Sequence, residues 1–172
     1  MARQVKTEVS ARVRAWEIQT NPGGVGTQPS RLLHELVYDA EWPSGTADGE
    51  ADRVWSFATT SLDTTGTELD LIGGANMLSR LDTTNVNSFV NLTLLAAKNT
   101  SASGDMQIGG GSNAVVGIVL ASGDVIPVKP GGLLLWVAPG GISPVAGTGD
   151  ILKVAASTGT VDAEMMVVGR SA

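Results

Sequence analysis

At 172 residues, 42% of them hydrophobic and 16% charged, the chain suits one ordinary domain that holds a core without a disulfide or a metal. A net charge of −6 without clustered Lys or Arg excludes the electrostatic footprint of nucleic-acid binding and fits anionic lipid poorly, and the absence of Cys excludes disulfides and thiolate metal sites. No run approaches the ~18 apolar residues of a membrane span and no apolar signal core follows Met1, so no membrane partner and synthesis and folding in a cytoplasm are expected.

In chain order, the first element is "VKTEVSARVRAW", residues 5–16. Val5, Thr7, Val9, Ala11, Val13 and Ala15 alternate with Lys6, Glu8, Ser10, Arg12, Arg14 and Trp16, the period of a strand with one buried face. A loop rich in Pro and Gly follows at 20–30, then "RLLHELVYDA", a short strand or a helical turn, then a second loop, "EWPSGTADGEAD". Residues 1–50 therefore read as an N-terminal arm and irregular layer, and 51–172 as the main domain.

From Arg53 onward the strand pattern is regular. The candidates are "RVWSFATTSL", "TELDLIGG", "SFVNLTLLAAKN", "DMQIGG", "AVVGIVLA", "DVIPVKP", "LLLWVAP", "DILKVAAS" and "AEMMVVGRS". Short turns such as Ser103–Asp105, Ser122–Asp124 and Thr148–Asp150 separate them, with Gly supplying positive φ and Asp or Ser bonding the local backbone. Short strands at this spacing without intervening helices predict an all-β protein, an antiparallel sandwich of jelly-roll-like type with an extended N-terminal arm. "SFVNLTLLAAKN" reads as a central strand. "LLLWVA", between two Pro/Gly clusters, predicts a strand buried on both faces, with Leu133, Leu135 and Val137 on one and Leu134 and Trp136 on the other.

Residues with chemical potential are few. His34 is the single histidine, but no G-x-S-x-G elbow accompanies it, and a hydrogen-bonded structural role is the better reading. Gly109, Gly111 and Ala114 fit G-x-G-x-x-A, yet the β-branched "AVVGIVL" follows where a dinucleotide site needs a helix N-terminus. That stretch reads as a hairpin turn. Asp48, Glu50 and Asp52 alternate in a loop and offer carboxylates to Ca²⁺, but without the EF-hand order a solvated acidic turn is favoured. Trp42 and Trp55 offer faces to a sugar, with packing the better reading for both. No catalytic residue, metal ligand or cofactor is assigned, and no enzymatic activity is expected.

The run from Arg53 to the end resembles small virion proteins of tailed bacteriophages. The phrases that carry the resemblance are "DRVWSFATTSLDTTGTELDLIGG", "LLAAKNTSASGDMQIGGGSNAVVGIV" and "DVIPVKPGGLLLWVAPGGISPVAGTGDILKVAASTGTVDAEMMVVGRSA", about two-thirds of the chain. The resemblance implies a β-sandwich structural protein of the virion without enzymatic activity. A capsid decoration or cement protein that bridges capsid subunits is the expected role. The alternatives are a neck or tail component, or a receptor- or glycan-binding module at the tail tip. The expected partners are the major capsid protein or other virion proteins and further copies of the chain itself, a trimer favoured, with no nucleic acid. The arm is the expected interface, through Val5, Val9, Arg12, Val13, Arg14 and Trp16.

Overall fold

The structure is a computed structural model that describes residues 4–19, 30–73, 88–118, 121 and 123–171, with the side chains of 16–19 and 30–34 outside that description. Its ten strands are β1 (Thr7–Gln19), β2 (Ser30–Trp42), β3 (Arg53–Leu62), β4 (Thr67–Asp70), β5 (Asn91–Asn99), β6 (Met106–Gly109), β7 (Val125–Val128), β8 (Leu133–Ile142), β9 (Ile151–Ala156) and β10 (Val161–Arg170). No helix forms among the described residues.

Eight strands make two antiparallel four-stranded sheets, ordered β3-β10-β5-β8 and β4-β9-β6-β7. The pairings nest: β3 with β10, β4 with β9, β5 with β8, β6 with β7. Successive nested pairs alternate between the two layers, with β6 and β7 closing the innermost hairpin in one sheet. The core lies between them. Period-two alternation turns Trp55 from β3, Leu95 and Ala97 from β5, and Met165 and Val167 from β10 inward against Leu69, Ile108, Leu152 and Val154 of the other sheet. Fully burying a Leu, Ile or Val side chain contributes about 1.5–3 kcal/mol, so this layer holds the sandwich together.

The two prolines within strands both fall on sheet edges, Pro127 in β7 and Pro139 in β8, where a missing N–H breaks no ladder. Around Pro139 the β5–β8 register slips between Leu94↔Val137 and Leu92↔Ile142, with Gly141 at φ 70°. A second slip follows Val168 on β10, where Gly169 lies so close to the Asn91 carbonyl that a Cβ would fall 2.1 Å from that oxygen.

Three expectations are corrected. The N-terminal segment is a hairpin, β1 paired antiparallel with β2 from Thr7↔Trp42 to Gln19↔Ser30, and not an extended arm. The boundary at residue 50 falls in the loop joining β2 to β3, but the hairpin base and the sandwich share one apolar cluster. "AVVGIVLA" contains no strand among its described residues: Gly117 sits at φ 115° and only an isolated bridge, Ala114↔Ile151, joins it to β9. "LLLWVA" is β8, an edge strand whose outward face is covered only at Val137, which packs beside the hairpin base: Leu133 is 64% exposed and Leu135 is exposed too, whereas Leu134 and Trp136 pack against the core. An apolar run identifies a strand without saying whether a second layer covers its other face. "SFVNLTLLAAKN" supplies β5, an interior strand buried on both faces at Leu94 and Leu95.

Candidate functional site

The outer face of the β3-β10-β5-β8 sheet is a ladder of aligned rows. The registers place Val54, Val168, Leu94 and Val137 in the first row. Ser56, Met166, Ala96 and Leu135 form the second. Ala58, Glu164, Lys98 and Leu133 form the third.

The base of the hairpin covers the first row. Val9 and Trp42 are buried there with Ala51, Leu94 and Val168, and Tyr38, Ala40, Val54 and Val137 pack around them. The face that docks is the odd-numbered face of β1 and its partners on β2: Thr7 opposite Trp42, Val9 opposite Ala40, Ala11 opposite Tyr38, Val13 opposite Leu36. Docking stops partway along. Val5 and Val9 are buried in their own chain, whereas Val13 is 61% and Leu36 66% exposed. At Val13 and Leu36 the apolar face of the hairpin is therefore uncovered, and so are Met166, Leu135 and Leu133 on the sheet, while Ala96 packs at the edge of the hairpin-base cluster. An open groove along these rows is lined by Ala96, Leu133 and Met166 together with Ser56 and the charged Lys98 and Glu164.

The other face of the hairpin is charged. The Lys6 ammonium lies 2.7 Å from Glu8 and 3.0 Å from Glu41. Hydrogen bonds to Glu8 and then Glu41 raise the Lys6 pKa above its usual range, and the bond from Lys6 lowers that of Glu8. Ser10 donates to Asp39 at 2.6 Å. Arg12 and Arg14 both pair with Glu35, at 3.2 and 2.8 Å.

Of the six residues expected at an interface, the structure buries Val5 and Val9 against their own chain and engages Arg12 and Arg14 with Glu35 of the same hairpin. Their partners lie on β2 and on the sandwich, far off in sequence, so alternation alone cannot reveal them. Val13 remains open. The Trp16 backbone pairs with Leu33, and its side chain lies outside the described residues, as does that of His34. Leu36, on the same exposed face as Val13, carried no period-two signal because "RLLHELV" is apolar at both parities.

The other sequence candidates find structural roles. Trp42 is buried under the hairpin, and Trp55 is buried in the core with its ring stacked on Phe57 at 5.7 Å, so neither offers a face to a sugar. Gly109 and Gly110 take positive φ at the end of β6, and turns follow where a nucleotide site needs a helix. The acidic loop closes onto the end of β10. Asp48 binds the buried Arg170 guanidinium at 2.5 Å, and Arg170 also donates to the Gly140 carbonyl at 3.1 Å. Asp52 accepts from the Ser171 amide at 2.8 Å and from its hydroxyl, and Glu50 accepts from the Ala47 amide at 2.8 Å. Each carboxylate thus serves a separate protein donor. No cluster of His, Asp and Glu able to hold a metal ion occurs among the described residues. No family model matches the chain, and no curated protein and no solved structure matches it.

Proposed function

We propose that this chain is a structural component of a tailed-phage particle, a capsid decoration or cement protein that acts by covering surface and not by catalysis. The observation that carries this reading is the projecting hairpin, whose distal apolar face, Val13 and Leu36, is exposed on a rigid sandwich. A two-stranded hairpin on its own is marginal in water. A segment of 13-residue strands anchored at its base, with Val13 and Leu36 exposed beyond it, is a device for reaching another surface. The resemblance of residues 53–172 to small phage virion proteins supplies the context, and the nested strand order is read as a jelly-roll winding. In this reading the chain assembles with its own copies, as a trimer, and with the major capsid protein of the head, in the host cytoplasm and then on the virion. Each added interface raises the cost of separating capsid subunits.

The test shortens the hairpin and leaves its base intact. Replacing residues 12–37 by Asn-Gly joins the paired Ala11 and Tyr38 through a two-residue turn. The shortened protein is expected to fold and melt cooperatively, yet to lose co-sedimentation with particles that lack the protein. Binding at wild-type occupancy sinks the reading. Copy number in purified particles then separates the locations: hundreds of copies place it on the head, a dozen or fewer at the neck or tail.

A further inference from the structure

The edge strand β8 lacks a neighbour, and its backbone shows what kind. Along the β5–β8 ladder the Asn99 amide donates to the Gly132 carbonyl directly opposite, at 3.0 Å, which fixes the phase of the pairs that follow. Hydrogen-bonded and non-hydrogen-bonded pairs alternate in an antiparallel ladder, so Leu134 and Trp136 bond to Ala97 and Leu95 of β5. The N–H and C=O groups of Leu133, Leu135 and Val137 then point away from the sheet. Nothing among the described residues meets them. The side chains tell the same story. Leu133 and Leu135 are exposed on the outer face, and Leu134 and Trp136 are only partly buried on the core side, where Leu95 and Ala97 of the adjoining strand are fully buried. The neighbouring edge, β7, is protected. The Gly110 amide donates to the Asp124 carbonyl at 2.9 Å, so the same alternation places Pro127, opposite Gln107, where its backbone faces away from β6 and offers no donor. From Leu133 to Val137, β8 has no proline, no charge and no bulge, and an edge of that kind accepts another strand.

We propose that β8 of one copy pairs antiparallel with β8 of a second copy about a two-fold axis at Leu135, so that their β3-β10-β5-β8 sheets join into one continuous sheet. The occupant is a second copy because the free edge is its own complement. With Leu135 opposite Leu135, Leu133 lies opposite Val137, and the free N–H and C=O groups of all three residues are met reciprocally. On the core side Leu134 comes opposite Trp136 of the other copy, a smaller side chain against a larger one, and each covers the open flank of the other. Pro139, which has no N–H to give, falls opposite Gly131 in the turn before the strand, where the ladder has already ended. Strand addition draws its affinity from main-chain hydrogen bonds and needs no broad apolar face. The charged Lys98 and Glu164 lie on β5 and β10, inboard of this edge, and are not covered.

This inference goes beyond the reading above, and its test needs no particle. A two-fold joint links copies in pairs, as a dimer by itself or between trimers. Sedimentation equilibrium of the full chain is expected to find an even number of copies. Leu135→Pro removes an N–H that points away from β5, so it is expected to leave the far-UV spectrum and the cooperative melt in place and to halve the mass. Leu135→Lys puts a charge on a side chain exposed in the isolated copy, decides the matter if the proline variant does not fold, and is expected to raise the dissociation constant about tenfold or more. The chain contains no Cys, so introduced cysteines report proximity without background. Under mild oxidation Leu135→Cys protein is expected to link to itself, and Leu133→Cys protein much less. Leu133 is the more exposed of the two, so chance collision favours it and only the two-fold axis favours 135. A monomeric or trimeric wild type overturns the proposal. So does stronger self-linking at 133 than at 135, or an unchanged mass in a folded Leu135→Pro or Leu135→Lys protein.

Discussion

Leu133 and Leu134 are neighbours of the same type whose fates differ because one bond separates two sides of a strand. Leu134 points into the sandwich and Leu133 into the open third row. A carboxylate at 134 has no partner among the core side chains there, and an unpaired buried charge is among the few changes that destabilise a domain severely. Leu134→Asp is expected to lower unfolding free energy by about 2–4 kcal/mol in urea titration, or to abolish folding, whereas Leu133→Asp stays within about 0.5 kcal/mol for the isolated copy. Equal effects at the two positions would contradict the assignment of faces. Trp42 and Trp55 teach the same lesson: a Trp beside a turn has the composition of a ligand platform, and only its 3% exposure under the hairpin shows Trp42 to be an anchor.

Among the elements, the hairpin is the one whose stability is divided along its length. Its base has a second layer beneath it; farther out, Val13 and Leu36 are exposed and the two strands are joined by cross-strand pairs. At the base, Lys6 bridges Glu8 and Glu41 across the two strands. Glu8 is held below its ordinary 4.5, so its contribution is present above that pH and disappears as the pH falls through the lowered value. Lys6 is held above its ordinary 10.5, so its contribution is present below that pH and disappears as the pH rises through the raised value. Both side chains are fully exposed, so water and salt screen the pair, and the sandwich itself does not depend on it. Hydrogen exchange, corrected for intrinsic rates, is expected to show the amides of β1 and β2 near Thr7 and Trp42 losing protection below pH 4.5 while those of β5 and β10 keep theirs. High salt at neutral pH is expected to produce a weaker version of the same change. Uniform behaviour of all four strands would show that the hairpin base is not a separate opening unit.

For the molecule as a whole, the loop between the hairpin and the sandwich acts as a clasp. Asp48 on Arg170 and Asp52 on Ser171 tie it to the last strand, and Arg170 reaches across to Gly140 beside the β8 bulge. Because these carboxylates already engage protein donors, the loop is expected to hold no essential ion. Prolonged EDTA treatment is expected to leave the melting temperature unchanged within a degree. A fall of several degrees reversed by Ca²⁺ would show a site that these hydrogen bonds do not account for.

What the sequence by itself determined is local. Alternation of apolar and polar residues, β-branched content and Gly-Asp turns mark most of the strands from Thr7 to Arg170 and the all-β class, because side-chain period and turn conformation depend on near neighbours along the chain. The tertiary structure alone decided which faces are covered. β8 is apolar at both parities, and whether Leu133 is buried depends on what lies over an edge strand paired to β5, some forty residues away in sequence. β1 alternates throughout, yet Val9 is buried and Val13 is not, because the base of the hairpin packs on the sandwich at Val9 and no described residue covers Val13. Burial is set by where separate elements stop relative to one another, and that distance is fixed by strand order and packing, which no local pattern encodes.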